Sequence, residues 1–139
     1  MPAMDKYELI EHTADIGLKA CGGTLDEAFA NAALGMFSII VEPASIIEAE
    51  SRRVVVTADD AEGLLFEWLN SLLYYFDVET LLFRRFEITE FEDNRLVAVC
   101  YGEPFDSSRH GLKIGVKSAT YHQMEVNRED NYVRVFFDV

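Results

Sequence analysis

The chain has 139 residues, half of them hydrophobic, which is enough to bury a core within one domain. Its 25 acidic and 12 basic residues give a formal net charge of −13, which argues against a direct nucleic-acid platform and favours solubility, cation binding or a basic partner. No apolar run reaches the roughly 18 residues of a membrane span and no signal peptide is visible, so we expect a cytoplasmic protein that does not enter membranes.

Two short strands are predicted at residues 6–12 and 14–21, on either side of the segment Glu11–Gly17, with Gly22-Gly23 as a break. Within this segment His12, Thr13 and Asp15 place an imidazole, a hydroxyl and a carboxylate within four residues. A turn that only reversed the chain would not need these groups.

Two helices are predicted next. Thr24 with Glu27 three residues later forms a capping-box pattern, and the first helix should run to about residue 39, before Pro43. A strand region follows at residues 46–57. Asp59 or Asp60 caps the second helix, whose buried stripe consists of Leu65, Trp68, Leu69, Leu72, Leu73 and Phe76.

The rest of the chain reads as strands. Residues 83–91 and 95–102 flank a hairpin turn at 92–94, and a polar loop follows at 104–111. Residues 112–126 alternate at such length that they predict two strand pieces or one bent strand; Ile114, Val116, Ser118, Thr120, His122, Met124 and Val126 share one face, and Lys113, Lys117, Tyr121, Gln123 and Glu125 the other. A turn at 127–131 leads to a last strand at 132–139.

These elements predict an α+β fold: a single two-layer domain over residues 1–139, with a mostly antiparallel sheet and two main helices packed on it. Cys21 and Cys100 lack CxxC spacing and are expected to be reduced, buried thiols.

Two side chains of the alternating segment have alternative interpretations. Lys117 on the polar face could anchor a phosphate or a partner's carboxylate, or could be a solvated surface lysine. His122 lies on the more apolar face, which favours a hydrogen-bonded core histidine.

The C-terminus suggests a cation site. Asp138 adjoins the α-carboxylate of Val139, and carboxylate oxygens are the ligands of hard cations. Two such groups need a third, which Asp15 could supply if the N-terminal strands lie beside the last one. His12 is then expected to play a supporting or structural role, and Thr13 to cap a turn through its hydroxyl. The alternative is a frayed acidic tail, which three aromatic residues in the last eight make less favourable.

Familiar catalytic patterns are missing from the sequence. It contains no GxSxG, P-loop, GxGxxG or HExxH motif, and no Cys/His cluster with zinc-finger spacing. No known enzyme mechanism is therefore indicated.

Four blocks together resemble the archease family. They are the HTADIG segment at 12–17, the TLDEAF segment at 24–29, the KSATYHQMEV segment at 117–126 and the terminal Asp138-Val139. Their order and spacing match along essentially the whole chain. Ser118 departs from the small apolar residue that many members carry there.

The resemblance implies a non-catalytic accessory protein of the RtcB-type RNA ligase in tRNA splicing. Such a protein promotes guanylylation and multiple turnover of the ligase, broadens its nucleotide use, and meets nucleic acid only through the ligase. By the same resemblance Asp15, Asp138 and the carboxylate of Val139 bind a divalent cation, and Lys117 is needed for activation. Calcium is the expected cation, and magnesium and manganese also suit oxygen ligands.

Two other functions stay open. A general chaperone or assembly factor would show an exposed apolar patch and broad suppression of aggregation, with little dependence on Asp15. A small metal-dependent hydrolase would turn over substrate alone, although the sequence shows no obvious general base or substrate pocket.

Overall fold

The computed structural model describes residues 6–11 and 15–139. Its elements in chain order are β1 (Tyr7–Glu11), β2 (Asp15–Cys21), α1 (Leu25–Ile40), a 3-10 turn (Pro43–Ser45), β3 (Glu50–Thr57), α2 (Ala61–Glu79), β4 (Leu81–Glu92), β5 (Arg95–Pro104), β6 (Ser118–Asn127) and β7 (Tyr132–Asp138). The strands form a four-stranded sheet in the order β1-β2-β7-β6 and a three-stranded sheet in the order β3-β5-β4, with antiparallel neighbours in both.

The predicted α+β class and antiparallel pairing are confirmed, and the structure adds that the strands divide between two sheets. Each helix contacts strands of both sheets: α1 contacts β1, β2 and β7 of the first and β4 of the second, whereas α2 contacts β6 of the first and all three strands of the second. The core therefore lies where the helices meet the two sheets. Its largest fully buried side chains include Trp68, Phe29, Phe37, Phe83 and Phe137.

Both helices begin at the predicted caps. The Thr24 hydroxyl accepts the Glu27 N–H at 3.4 Å, and the Glu27 carboxylate accepts the N–H of Gly23 at 2.7 Å. Asp60 is the cap of α2, because its Oδ1 accepts the Gly63 N–H at 2.7 Å. The α2 stripe is buried as predicted, except that Phe76 is only partly buried.

The strand predicted at residues 46–57 begins only at Glu50. The preceding residues bond to side chains instead of to a neighbouring strand. The Ile46 carbonyl accepts from Arg84 at 3.0 Å, and the Ile47 N–H donates to Glu103 at 2.7 Å.

The single alternation predicted over residues 112–126 is wrong, although the predicted bend is present. Regular strand begins only at Ser118, and residues 121–124 stand opposite the single residue Val135, because Thr120 pairs with Phe136 and Glu125 with Arg134. A bulge of this size resets which side chains face the core.

The bulge and the late start of β6 explain two corrections. Ile114 is exposed, whereas Ala119, which lies at an odd position, is buried. His122 is also exposed, so the predicted core histidine is wrong; its ring contacts the ring of Phe136 edge-on, with centroids 5.7 Å apart.

Candidate functional site

Asp15 and Asp138 are directly opposite each other in the antiparallel pair of β2 and β7. Directly opposed residues project from the same face of a sheet, with Cβ atoms about 4.5–5.5 Å apart. Asp138 is exposed and Asp15 is half-buried, so both carboxylates adjoin solvent. The structure thus brings together two residues that are separated by nearly the whole chain.

Two carboxylates placed opposite each other repel, and such a pair lowers the stability of a sheet unless a cation compensates it. Among the residues that the structure describes, neither Asp15 nor Asp138 forms an ion pair with a Lys, Arg or His. The donor atoms are carboxylate oxygens, the type that hard divalent cations prefer. This chemistry fits a divalent cation.

Gly17 has a packing role beside this pair. It stands opposite Phe136, and a Cβ added at Gly17 would lie 2.7 Å from an atom of the Phe136 ring. The glycine therefore leaves room for an aromatic ring to pack over the β2 backbone two residues after Asp15. This accounts for the glycine that ends the HTADIG segment.

The segment that carries Lys117 is fixed to the same place. Ser118 pairs with Asp138 across β6 and β7, and the Lys117 N–H donates to the Asp138 carbonyl at 2.8 Å. Asp15, Asp138 and Ser118 therefore form one row across three adjacent strands. Lys117, which is exposed, precedes this row by one residue.

Asn70 of α2 is a site-supporting residue that the sequence did not reveal. Its Oδ1 accepts the Ala119 N–H at 2.9 Å, and its Nδ2 donates to the Ala119 carbonyl at 3.4 Å. The amide thus bonds both backbone groups of one residue on the edge strand β6, as a neighbouring strand would. The sequence feature that could have indicated this role of Asn70 is a polar amide next to the buried stripe of α2, near Leu69 and Leu72.

Three further residues, His12, Thr13 and Val139, were predicted to belong to the functional site. His12 and Thr13 lie outside the described residues. Val139 is partly buried and packs against the core. Over residues 6–11 and 15–139, no three side chains among His, Cys, Asp and Glu gather closely enough to hold a metal ion. A cation at this place would accordingly need a backbone, terminal or water oxygen besides the two aspartates.

A second polar cluster connects the end of β5 with the segment predicted to be a polar loop, residues 104–111. Glu103, only 5% exposed, accepts hydrogen bonds from Arg109, from the Ile47 N–H and from His110 Nε2, the last at 2.9 Å. The bonds from Arg109 lead the effects that lower the pKa of Glu103 to about 2.

His110 connects Glu103 to the backbone of Asp106 within this cluster. Its Nδ1 accepts the Asp106 N–H at 2.9 Å, so Nε2 carries the proton that is donated to Glu103. With 2% of its surface exposed, the imidazole is inaccessible to a substrate and acts as a structural bridge. The sequence offered no periodic signal that Glu103 of β5 and His110 of the polar loop form a buried pair.

No helix among the described residues has the length and apolar character required to cross a membrane.

Comparison with known proteins assigns the family. Residues 7–139 match the model of the Archease protein family. The chain is 40% identical to the protein archease of Sulfurisphaera tokodaii over 137 residues, which cover 98% of this chain and 99% of the relative. It is also 40% identical to the protein archease of Pyrococcus abyssi, over 90% of each chain.

A solved structure agrees with this assignment. The solution structure of Methanobacterium thermoautotrophicum protein 1598 superposes with a TM-score of 0.79 at 35% identity, covering 98% of this chain and all of that one. Sequence and fold agree over nearly the full length, and the chain therefore belongs to the archease family.

Proposed function

We propose that this protein is a non-catalytic, metal-binding activator of an RtcB-type RNA ligase in tRNA splicing. It promotes guanylylation and multiple turnover of the ligase and broadens the nucleotides that the ligase accepts. Membership of the archease family supports the proposal. The observation that carries it is the register pair of Asp15 and Asp138, an acidic pair with no compensating cation among the described residues.

The proposed ligands of the cation are the carboxylates of Asp15, Asp138 and the α-carboxylate of Val139. Calcium is the proposed cation, with magnesium and manganese as alternatives. A divalent cation held there would neutralise negative charge on a nucleotide phosphate. The two aspartates hold it on the rigid β2–β7 pair, which gives it a fixed position relative to the docked ligase.

Lys117 is the proposed anion-binding residue, one position before Ser118, which pairs with Asp138. Its backbone is bonded to Asp138 and its side chain is exposed, so its ammonium group is available to a phosphate or to a carboxylate of the ligase. In this arrangement Lys117 binds and orients an anion, and Asp15 and Asp138 bind the cation. None of the three has to exchange a proton.

The charge and the thiols of the chain suit this function. An RNA ligase presents basic surface to its substrate, and a protein of net charge −13 can approach that surface without binding RNA itself. Cys100 is buried, which raises its pKa to about 12 and leaves the thiol unreactive, whereas Cys21 is only partly buried. We place the protein in the cytoplasm together with its ligase.

A guanylylation assay tests the proposal. Purified ligase, nucleotide and metal are combined with wild-type protein, Asp15→Ala, Asp138→Ala or the control Asp130→Ala, which alters an exposed aspartate in the β6–β7 turn. Wild-type protein and the control should raise the rate and extent of guanylylation, and the two site variants should not. Full stimulation by Asp15→Ala or Asp138→Ala would contradict the proposal.

The same assay separates the two alternative functions. A general chaperone would protect unrelated aggregating proteins and would do so equally well with Asp15→Ala. A hydrolase would turn over nucleotide without ligase. An effect that requires both the ligase and the two aspartates supports the activator alone.

A further inference from the structure

We propose that residues 111–117, named here the 111–117 loop, are the docking element by which this protein binds the protein surface of its ligase, through Leu112 and Ile114. The inference rests on the proposed activator function and adds to it the face that meets the partner. The occupant we propose is an apolar recess of the ligase, bordered by carboxylates.

Two aliphatic side chains of the loop are exposed to solvent. Residues 111–117 form no regular secondary structure, yet Leu112 is 55% exposed and Ile114 is 44% exposed. Gly111 and Gly115 flank them, and a Cβ added at either glycine would meet no atom within 4 Å. The two glycines therefore leave the backbone on either side of Leu112 and Ile114 uncovered by side chains, so that a partner can approach closely there.

The loop is held at several points despite its exposure. At its start, the buried His110 is bonded to Glu103. In its middle, the Lys113 N–H donates to the Ile40 carbonyl at the end of α1, at 2.8 Å. At its end, Val116 is buried and Lys117 is bonded to Asp138. A loop fixed in this way loses little conformational entropy on binding, which favours its use as a preformed docking element.

The charge of the surrounding segment differs from that of the rest of the chain. Residues 107–124 contain no Asp or Glu, although the chain as a whole has 25 of them. Two of the four lysines of the chain, Lys113 and Lys117, lie within the loop and are exposed. The complementary partner surface is therefore apolar at its centre and acidic at its border.

A protein surface fits this loop better than a nucleic acid does. Single-stranded RNA is bound by aromatic side chains that stack on bases and by several cationic groups along the backbone. The loop has no aromatic residue and presents two aliphatic side chains, which gain free energy by entering an apolar pocket. The two lysines then pair with carboxylates at the border of that pocket.

The position of the loop connects docking to the proposed activity. Lys117 ends the loop and is bonded to Asp138, which lies opposite Asp15. A ligase that binds Leu112 and Ile114 would consequently contact Asp15, Asp138 and Lys117 at the same place. Docking and cation placement would share one end of the adjacent strands β2, β7 and β6.

The test compares two matched double variants. Leu112→Ser with Ile114→Ser removes the proposed contacts, and Ile47→Ser with Val78→Ser removes two other exposed aliphatic side chains, which are 56% and 59% exposed. Binding of each protein to immobilised ligase is measured together with the protein concentration that gives half-maximal guanylylation. The loop variant should bind at least tenfold more weakly and need a correspondingly higher concentration, whereas the control should stay within twofold of wild type.

The outcomes distinguish the two proposals. If wild-type protein activates the ligase and the loop variant binds as tightly as wild type, the docking proposal is wrong and the activator function stands. If wild-type protein neither binds nor activates the ligase, the proposed function fails and the docking proposal fails with it. If the loop variant loses binding to RNA alone and keeps binding to the ligase, the class of partner is wrong.

A second variant guards against misfolding. Lys113→Glu keeps both aliphatic side chains and reverses one exposed charge, so it should fold normally and weaken ligase binding severalfold at low salt. Its effect should diminish as salt is added, because surface charges are screened. Unchanged binding of Lys113→Glu at low salt would contradict the proposed acidic border.

Discussion

Asp15 lies directly opposite Asp138 in the β2–β7 pair, so two like charges that are distant in the sequence share one position on the sheet surface. An unrelieved pair of this kind lowers stability. The proposed divalent cation would relieve this repulsion. This relationship yields the first prediction.

Asp138→Asn should affect the cation-free and cation-bound proteins in opposite ways. Removing one like charge should raise the cation-free stability by about 0.2–1 kcal/mol, and it should abolish the stabilisation that calcium gives by binding the folded state. Thermal unfolding with calcium or with a chelator measures both effects, and Asp130→Asn serves as the control. A calcium-induced shift of the same size in Asp138→Asn would contradict the proposed cation site.

A short extension after Val139 is expected to weaken cation binding and leave the fold intact. It converts the α-carboxylate into a peptide carbonyl, which removes one of the proposed anionic ligands. Calorimetric titration with calcium, combined with a circular dichroism spectrum, measures both properties. Equal calcium affinity with and without the extension would exclude the Val139 carboxylate as a ligand.

Asn70→Ala should impair the site more than it impairs the fold. The variant loses both bonds to Ala119, at a cost of about 1–2 kcal/mol, and frees the segment that follows Lys117. We expect faster hydrogen exchange at residues 117–120 and weaker stimulation of ligase guanylylation.

Asn31→Ala is the matched control for this variant. Asn31 lies on α1 and donates to the Cys21 carbonyl at 2.8 Å, a helix-to-strand bond at the other end of β2. It should lower stability by about 0.5–1.5 kcal/mol, the range for one hydrogen bond, and leave exchange at residues 117–120 unchanged. Equal loss of ligase stimulation in both variants would show that Asn70 acts only through overall stability.

Glu103 should make part of the stability depend on pH. The hydrogen bonds from Arg109 are the largest of the effects that hold its pKa at about 2 in the folded protein, below the ordinary value of 4.5. Because the folded pKa is the lower one, this stabilisation is fully present above about pH 4.5 and is lost as the pH falls towards 2.

Glu103→Gln tests this dependence by urea unfolding at a series of pH values. The variant should be less stable at neutral pH by about 1.5–3 kcal/mol, the usual range for hydrogen bonds to a charged group. Below about pH 4.5 the difference between the two proteins should shrink. A constant difference across the whole range would mean that the Glu103 charge contributes nothing.

The sequence by itself determined the local structure of this protein. Thr24 with Glu27 begins α1, and Asp60, one of the two caps that the sequence offered, begins α2. Their side chains bond the first free backbone N–H groups, and such bonds depend on neighbours only a few residues away. Val133, Val135 and Phe137 recur at every second position, the period of a strand with one face on the core, and all three are buried in β7.

Tertiary structure decided the relationships between distant parts of the chain. The register that sets Asp15 against Asp138 depends on how β2 aligns with β7, and the pairing of Asn70 with Ala119 depends on where α2 crosses the sheet. The bulge after Thr120 exposed His122, against the alternation of the sequence, because extra residues in one strand change which side chains face the core. Local patterns specify helices and strands, but only the packed fold specifies which charges become neighbours.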